Sequence, residues 1–173
     1  MSETTTIPSQ ATPAGNQTHA LEDLRRRVVG RLHTPTEGTW DVVRTPWVVN
    51  IPQHPMAVLE VHDADDVIAA VRWAVDHGLQ VTAQPTGHAG MTSLDQTLLL
   101  RTRALGGIEV DVQRRTATIG SGVKAGELCD ALEGTGLTFL CGSNSDPSVT
   151  GMTILPPSDS AFSSNIWMSG SCA

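Results

Sequence analysis

The segment Pro85-Thr86-Gly87-His88-Ala89-Gly90 sets a histidine among some of the smallest side chains in the sequence. A bound diphosphate needs several main-chain N–H groups converging on it, and bulky side chains would hold that main chain away. Gly87, Ala89 and Gly90 permit the approach, Thr86 adds a hydroxyl donor, and His88 adds a nucleophilic imidazole beside whatever the loop holds. Pro85 contributes no N–H. The same residues also suit a plain tight turn with a surface histidine, and composition alone leaves both readings open. A second run, residues 142–151, is dense in hydroxyls, amide and glycine, and offers Gly142, Ser143, Asp146, Val149 and Gly151 as candidates around sugar-alcohol or phosphate oxygens. Such clusters equally describe an ordinary exposed loop. Gly120-Ser121-Gly122 is too short for a dinucleotide fingerprint and reads as a helix-entry turn.

Both loops need strands to present them. Residues 57–61 read as a strand, followed by a helix capped by Asp63 or Asp65, with Val67, Ile68, Val71 and Val75 as its apolar face and Gly78 at its end. Residues 79–83 form the next strand and run directly into the histidine loop; residues 97–102 form another. Shorter strands at 108–111 and 116–119 flank the charged turn Gln113-Arg114-Arg115, a helix over 124–132 follows, and a strand near 138–140 leads into the second loop. The strand–helix–strand unit suits a parallel crossover. The later strands lie too close together for intervening helices, which favours an α+β fold over a doubly wound sheet. Upstream, Leu21, Leu24, Val28 and Leu32 recur at helical spacing, with Arg25-Arg26-Arg27 on the outer side. Residues 33–55 read as mostly extended, with Trp40 and Trp47 as packing anchors or, less simply, ligand-stacking rings, and residues 1–18 as a disordered tail.

Composition narrows the function. A net charge of −7 argues against a broad grip on nucleic acid, so any phosphate must be held locally. No run approaches the roughly 20 apolar residues of a membrane span, so no membrane partner is expected. Cys129, Cys141 and Cys172 lack metal-site spacing, and no metal site is expected. With no signal-peptide core at the N-terminus, the cytoplasm is the expected location, and the sequon Asn16-Gln17-Thr18 is discounted.

The pieces taken in order say more than any one of them. Residues 55–61 and 66–71 are followed by Gly87-His88-Ala89-Gly90, then Leu98-Leu99-Leu100-Arg101-Thr102, then Ala117-Thr118-Ile119-Gly120-Ser121-Gly122-Val123, and finally Gly136-Leu137 and Gly142-Ser143. This order resembles the PCMH-type FAD-binding domain of the vanillyl-alcohol oxidase superfamily, nearest its berberine-bridge-enzyme-like, FAD-linked oxidases, over residues of about 40–154.

The resemblance implies FAD as cofactor, its pyrophosphate in the first loop and its 8α-methyl bonded covalently, in many members, to the histidine that corresponds to His88. It implies an oxidoreductase that takes a hydride from an alcohol or sugar CH–OH carbon onto the flavin, with a small-molecule substrate held by a second domain. The sequence departs from the family in two places. The usual Arg-Gly-Gly-like triplet is represented by Pro85-Thr86, and after Ile154 and Leu155 the family's glycine run is replaced by Pro156-Pro157. Some relatives attach the flavin again through a cysteine in the second loop; Cys141 stands too early for that, so a single link at most is expected. The chain contains no tyrosine, the usual substrate-side catalytic residue, and no catalytic residue is assigned. The expected organisation is a tail over 1–18, an incomplete FAD-binding domain over 19–154 and an atypical polar tail over 155–173, a C-terminally truncated member lacking the substrate domain and inactive alone. An uncovered docking face would favour self-association. Two alternatives stay open: a non-catalytic remnant, and a nucleotide-binding module without covalent flavin.

Overall fold

The computed structural model describes residues 14–88, 90, 92–154 and 169–170. In chain order the elements are α1 (Ala14–Arg27), β1 (Arg31–His33), α2 (Trp40–Arg44), β2 (Ala57–Glu60), α3 (Ala64–Asp76), β3 (Gln80–Ala83), β4 (Thr97–Arg101), β5 (Ile108–Asp111), β6 (Thr116–Ile119), α4 (Ala125–Leu132), β7 (Leu137–Thr138), α5 (Val149–Ile154) and β8 (Ser169–Gly170). The fold is α+β, as expected. A four-stranded sheet has the order β1-β2-β4-β3; β4 runs parallel to both β2 and β3, and β1 is an antiparallel edge. The β2–α3–β3 crossover therefore spans β4. A separate β5–β6 hairpin and a short β7–β8 pair complete the strands.

The central strands are continuous apolar runs because both of their faces are covered. Ala57, Val58, Leu59, Leu98, Leu99 and Leu100 are all buried. One face packs on Leu24 of α1 and on Ala70, Trp73 and Ala74 of α3; the other carries Val58 and Leu99 against Leu94, Trp40 and Val43. The hairpin alternates half-buried and exposed residues instead, and lays Ile108, Val110, Ala117 and Ile119 on a second core of Val123, Leu128, Leu132, Phe139 and Val149.

Several expectations are corrected. The first helix begins at Ala14, inside the stretch read as tail, and stops at Arg27; Leu32 joins the same core from β1. Residues 33–55 carry one element not expected there, the short helix α2. Of the apolar face expected for α3, Val67 packs against the core, but Ile68, Val71 and Val75 are exposed, and the buried side is Asp66, Ala70, Trp73 and Ala74. Trp73 decides it, because its ring fills the core and its Nε1–H donates to Ala20 O at 3.1 Å. Asp66 completes that side by accepting from the N–H groups of Val29, Gly30 and His62 at 2.7–2.8 Å. The N-cap is Asp63, one of the two residues anticipated, which accepts from Asp66 N at 3.0 Å. Of the polar end segment, Ser169–Gly170 pairs antiparallel with β7; residues 155–168 and 171–173 lie outside the described residues. No helix among the described residues is long and apolar enough to cross a membrane.

Candidate functional site

Open sheets of parallel strands place ligands beyond the carboxyl ends of the strands. The histidine loop leaves that end of β3, and Gln84 N–H still donates to Leu100 O of β4 at 2.9 Å, so the loop starts from a fixed point. Beyond it, Pro85, Thr86, Gly87 and His88 line one side of a cleft of about 300 Å³. Pro147, Ser148, Gly151 and Met152 line the other. Two loops separated by some sixty residues, each singled out by its composition, thus meet at one place.

A third segment, of which the sequence marks only Trp47 as a packing or stacking ring, supports the first loop. Trp47 N–H donates to Thr86 O at 3.2 Å and Val48 N–H to Gly87 O at 3.4 Å. Trp47 also stacks on the ring of His88, with centroids 4.1 Å apart and planes 14° from parallel. Gly87 has φ +76, and a Cβ on it would stand 2.8 Å from Pro46 Cβ; at Gly90 the same clash would occur at 2.9 Å. Both glycines are therefore required by the close approach of residues 46–47. Gly90 N–H closes the turn on Gly87 O at 3.2 Å. Ala89 lies outside the described residues.

Arg101, at the end of β4, ties these parts together. Its guanidinium donates to Val43 O at 3.0 Å, Thr45 O at 2.9 Å and Gln84 Oε1 at 3.3 Å. Burial lowers its pKa from the ordinary value, and Glu60 opposes that shift. A single charged side chain thereby fixes both the entry to the histidine loop and the segment that packs on it.

The two nitrogens of His88 differ. Nδ1 shares a hydrogen bond of 3.0 Å with Thr86 Oγ1, whereas Nε2 is buried and has no partner among the described residues. A buried polar atom without a partner in a cleft marks a place where a ligand can complete the bonding.

The second loop contributes less of itself. Gly151 borders the cleft, and a Cβ there would meet only the Ser148 hydroxyl, at 2.8 Å. Asp146 pairs with Lys124 at 2.8 Å, and that bond with the Lys124 charge holds its carboxyl below the usual range. Val149 is fully buried in the second core, and its N–H donates to Val123 O at 2.9 Å. Gly142 and Ser143 are exposed and do not line the cleft. Gly120 and Gly122 are packing glycines, since a Cβ on either would lie 2.2–2.4 Å from carbonyl oxygens of residues 102–106.

A wider hollow of about 400 Å³ lies at the end of α4, bordered by Cys129, Leu132, Gly134 and Phe139. It touches neither loop. Burial and the neighbouring Cys141 thiol push the Cys129 thiol up, the opposite of what a reactive thiolate requires. Among the described residues no group of three or more His, Cys, Asp or Glu is arranged to hold a metal ion.

Residues 55–155 match the family described as FAD binding domain. The (R)-6-hydroxynicotine oxidase of Paenarthrobacter nicotinovorans is 26% identical over 129 residues, covering 73% of this chain and 28% of that protein. Among solved structures, 6-hydroxy-D-nicotine oxidase from Arthrobacter nicotinovorans superposes with a TM-score of 0.63 at 27% identity, over 70% of this chain and 27% of that one. Wild-type BBE-like 1 from Physcomitrella patens gives a TM-score of 0.70 at 20% identity, over 78% and 30% respectively, a likeness of fold. The chain thus spans between a quarter and a third of the length of these relatives.

Proposed function

This chain belongs to the FAD binding domain family, with FAD as its cofactor, and from that premise we propose that it forms the FAD cradle of an oxidoreductase acting on a small molecule at an alcohol or sugar CH–OH carbon. The observation that carries the reading is the buried, unpartnered Nε2 of His88 in a cleft that both loops line. Bound FAD supplies a two-electron acceptor. The chain's own residues do the holding. Pro85, Thr86, Gly87, His88, Ala89 and Gly90 form the diphosphate side, and His88 is the point of covalent attachment. Gly151, with Ser148 and Pro147 beside it, forms the opposite wall. Asp146, paired to Lys124, steadies the loop between them, while Gly142, Ser143 and Val149 belong to that loop without touching the cleft. The cradle corresponds to residues 19–154, in a cytoplasmic protein whose substrate is bound by other parts of a full-length relative. The xylooligosaccharide oxidase from Myceliophthora thermophila, with a TM-score of 0.64 at 18% identity, shares the fold and by its name acts on a sugar, which agrees with the proposed substrate class. Exposed apolar side chains on α3, Ile68, Val71 and Val75, support a tendency to self-associate.

The test is to purify the chain with added FAD, record its spectrum after gel filtration, and precipitate it with acid. Flavin absorbance that travels with the protein and stays in the acid pellet is expected, and it is expected to leave the pellet in His88→Ala. Protein that elutes colourless, or a variant that keeps acid-stable flavin, would overturn the reading or the role of His88 respectively.

A further inference from the structure

The second loop is tied at one end only. Residues 145–149 are bonded to the start of α4 and to Val123, whereas among the described residues no main-chain bond outside the helices and strands reaches residues 140–144. At that untied end stands a thiol, Cys141, and a second thiol, Cys129, stands on α4. The packing brings the two together. Gly134 and Gly136, both at left-handed φ, turn the chain back at the end of α4, and Phe139 then buries its ring against Leu128 and Leu132 of that helix. Beyond Phe139, Leu140 turns outward, 70% exposed, and Cys141 comes beside Cys129, close enough to bear on that thiol through both hydrogen bonding and charge. Cys129 borders the hollow at the end of α4 together with Thr138 and Phe139. Both cysteines are exposed, so an oxidant in solution reaches them.

We propose that Cys129 and Cys141 form a reversible disulfide, an oxidation site at which hydrogen peroxide fastens the untied end of the second loop to α4. Burial and the neighbouring thiol push Cys129 up, so Cys129 keeps its proton and the attack on peroxide falls to Cys141. The Cys141 sulfur bonds to one peroxide oxygen, the O–O bond breaks, and the departing hydroxide takes the thiol proton as water. That leaves a sulfenic acid. The Cys129 sulfur then displaces its hydroxyl: the S–S bond forms, the S–O bond breaks, and the hydroxyl leaves as a second water with the Cys129 proton. Two thiols lose two electrons, and one peroxide becomes two waters. A dithiol reverses the change by exchange. The bridge gives the second loop an anchor at residue 141 to match the main-chain anchors at 145–149, and the far part of the same loop lines the cleft. It needs no flavin and no role for His88.

The test uses the full chain without flavin. It is treated with hydrogen peroxide, its free thiols are counted, and the monomer is digested at acidic residues. Asp130, Glu133 and Asp146 lie between the cysteines, so Cys129, Cys141 and Cys172 fall on separate peptides unless a disulfide joins them. Loss of two thiols is expected, with the Cys129 and Cys141 peptides joined. Because the cross-link restricts the unfolded chain, Tm should rise by about 5–10 °C. Amide exchange at residues 140–144 should slow, and dithiothreitol should reverse every change. Serine variants give the order of attack, and both positions are exposed enough to accept serine. In Cys129→Ser the oxidation should stop at a Cys141 sulfenic acid, which dimedone traps. In Cys141→Ser, Cys129 should oxidise at least about ten-fold more slowly than Cys141 does. Thiols that survive peroxide, a bridge to Cys172 or to a second molecule, or a disulfide that leaves Tm and exchange unchanged would overturn the proposal. Sulfenic acid that forms faster on Cys129 than on Cys141 overturns it as well.

Discussion

Both loops that meet at the cleft are tied by main-chain bonds, but the segments that supply those bonds are anchored differently. The histidine loop leans on residues 46–48, a segment outside any strand, and that segment is fixed from below by the side chain of Arg101. The second loop is joined by main-chain bonds to the start of α4: Ala125 N–H donates to Pro147 O at 2.8 Å, Gly126 N–H to Ser145 O at 2.9 Å, and Val149 N–H to Val123 O at 2.9 Å. Main-chain bonds survive most substitutions, whereas a hub built from one side chain does not. The histidine loop should therefore be the fragile one, and the second loop the tolerant one.

The largest effect expected is at the hub. Arg101→Met removes the donor from Val43 O, Thr45 O and Gln84 together and leaves the half-buried acceptors of Val43 and Gln84 without it, which costs about 3 kcal/mol. For a chain of this length that lowers Tm by roughly 10 °C. FAD affinity should fall as well, because the histidine loop loses its support. Thermal melts and flavin titration of the variant check both. A variant that melts like the wild type would show that residues 43–48 hold themselves in place.

Next is Asp66, which ties α3 to the turn before β1. Burial raises its pKa, but the N–H groups of His62, Val29 and Gly30 more than offset this, and the net shift is downward. A carboxyl lowered by folding adds stability that is complete above its unfolded value, about 3.9, and is lost as pH falls through the folded value. Asp66→Asn should cost about 2 kcal/mol near pH 7 and flatten the acid limb of stability below about pH 4. Glu127 is also lowered, first by its bond to Arg103 and then by Lys124 N–H, but its side chain is 41% exposed, so its removal should matter less. Urea melts across pH 2–7 on both variants distinguish the two regions. Equal losses would erase the contrast.

The strands and both loops were legible because their signals are local. Continuous apolar runs mark β2 and β4, and clusters of small residues mark the loops. The buried face of α3 was not legible, because Val67, Ile68, Ala70, Val71, Trp73, Ala74 and Val75 supply more than one apolar stripe, and only docking against α1 and the sheet selects among them. The partners of Trp47 and Arg101 were not legible for a related reason. Each acts through partners far away in sequence, and neither lies in a periodic pattern that points at its partner. The role of the loop glycines was only half legible: smallness was read as access for a diphosphate, while what Gly87 and Gly90 admit in the structure is Pro46.

A matched pair of glycine substitutions tests that last point with an effect of intermediate size. Gly87→Ala sets a Cβ against Pro46 at a left-handed φ and should cost about 1–3 kcal/mol. Gly151→Ala meets a hydroxyl that can rotate away, and should stay within about 0.5 kcal/mol. Melts of the two proteins give the difference. If Gly87→Ala folds normally and loses only FAD, the glycine serves the cofactor and the contact with Pro46 is incidental.

The smallest effect should come from the ion pair that ties the second loop to the start of α4. Lys124 and Asp146 pair at 2.8 Å, but their side chains are 33% and 46% exposed, so water and salt screen the attraction and each side chain gives up rotamer freedom to make it. Lys124→Met keeps the main-chain bonds of residues 145–149 to α4, keeps most of the apolar stem, and removes only the charge. Stability should change by less than about 1 kcal/mol, and any change should shrink further as salt is raised. The carboxyl of Asp146, released from its strongest partner, should move back towards the ordinary range, which a proton titration followed by NMR would detect. FAD affinity should hardly move. A large loss of FAD binding in Lys124→Met, with the fold intact by circular dichroism, would mean that the ammonium itself serves the cofactor, and the second loop would then depend on one side chain as much as the first depends on Arg101.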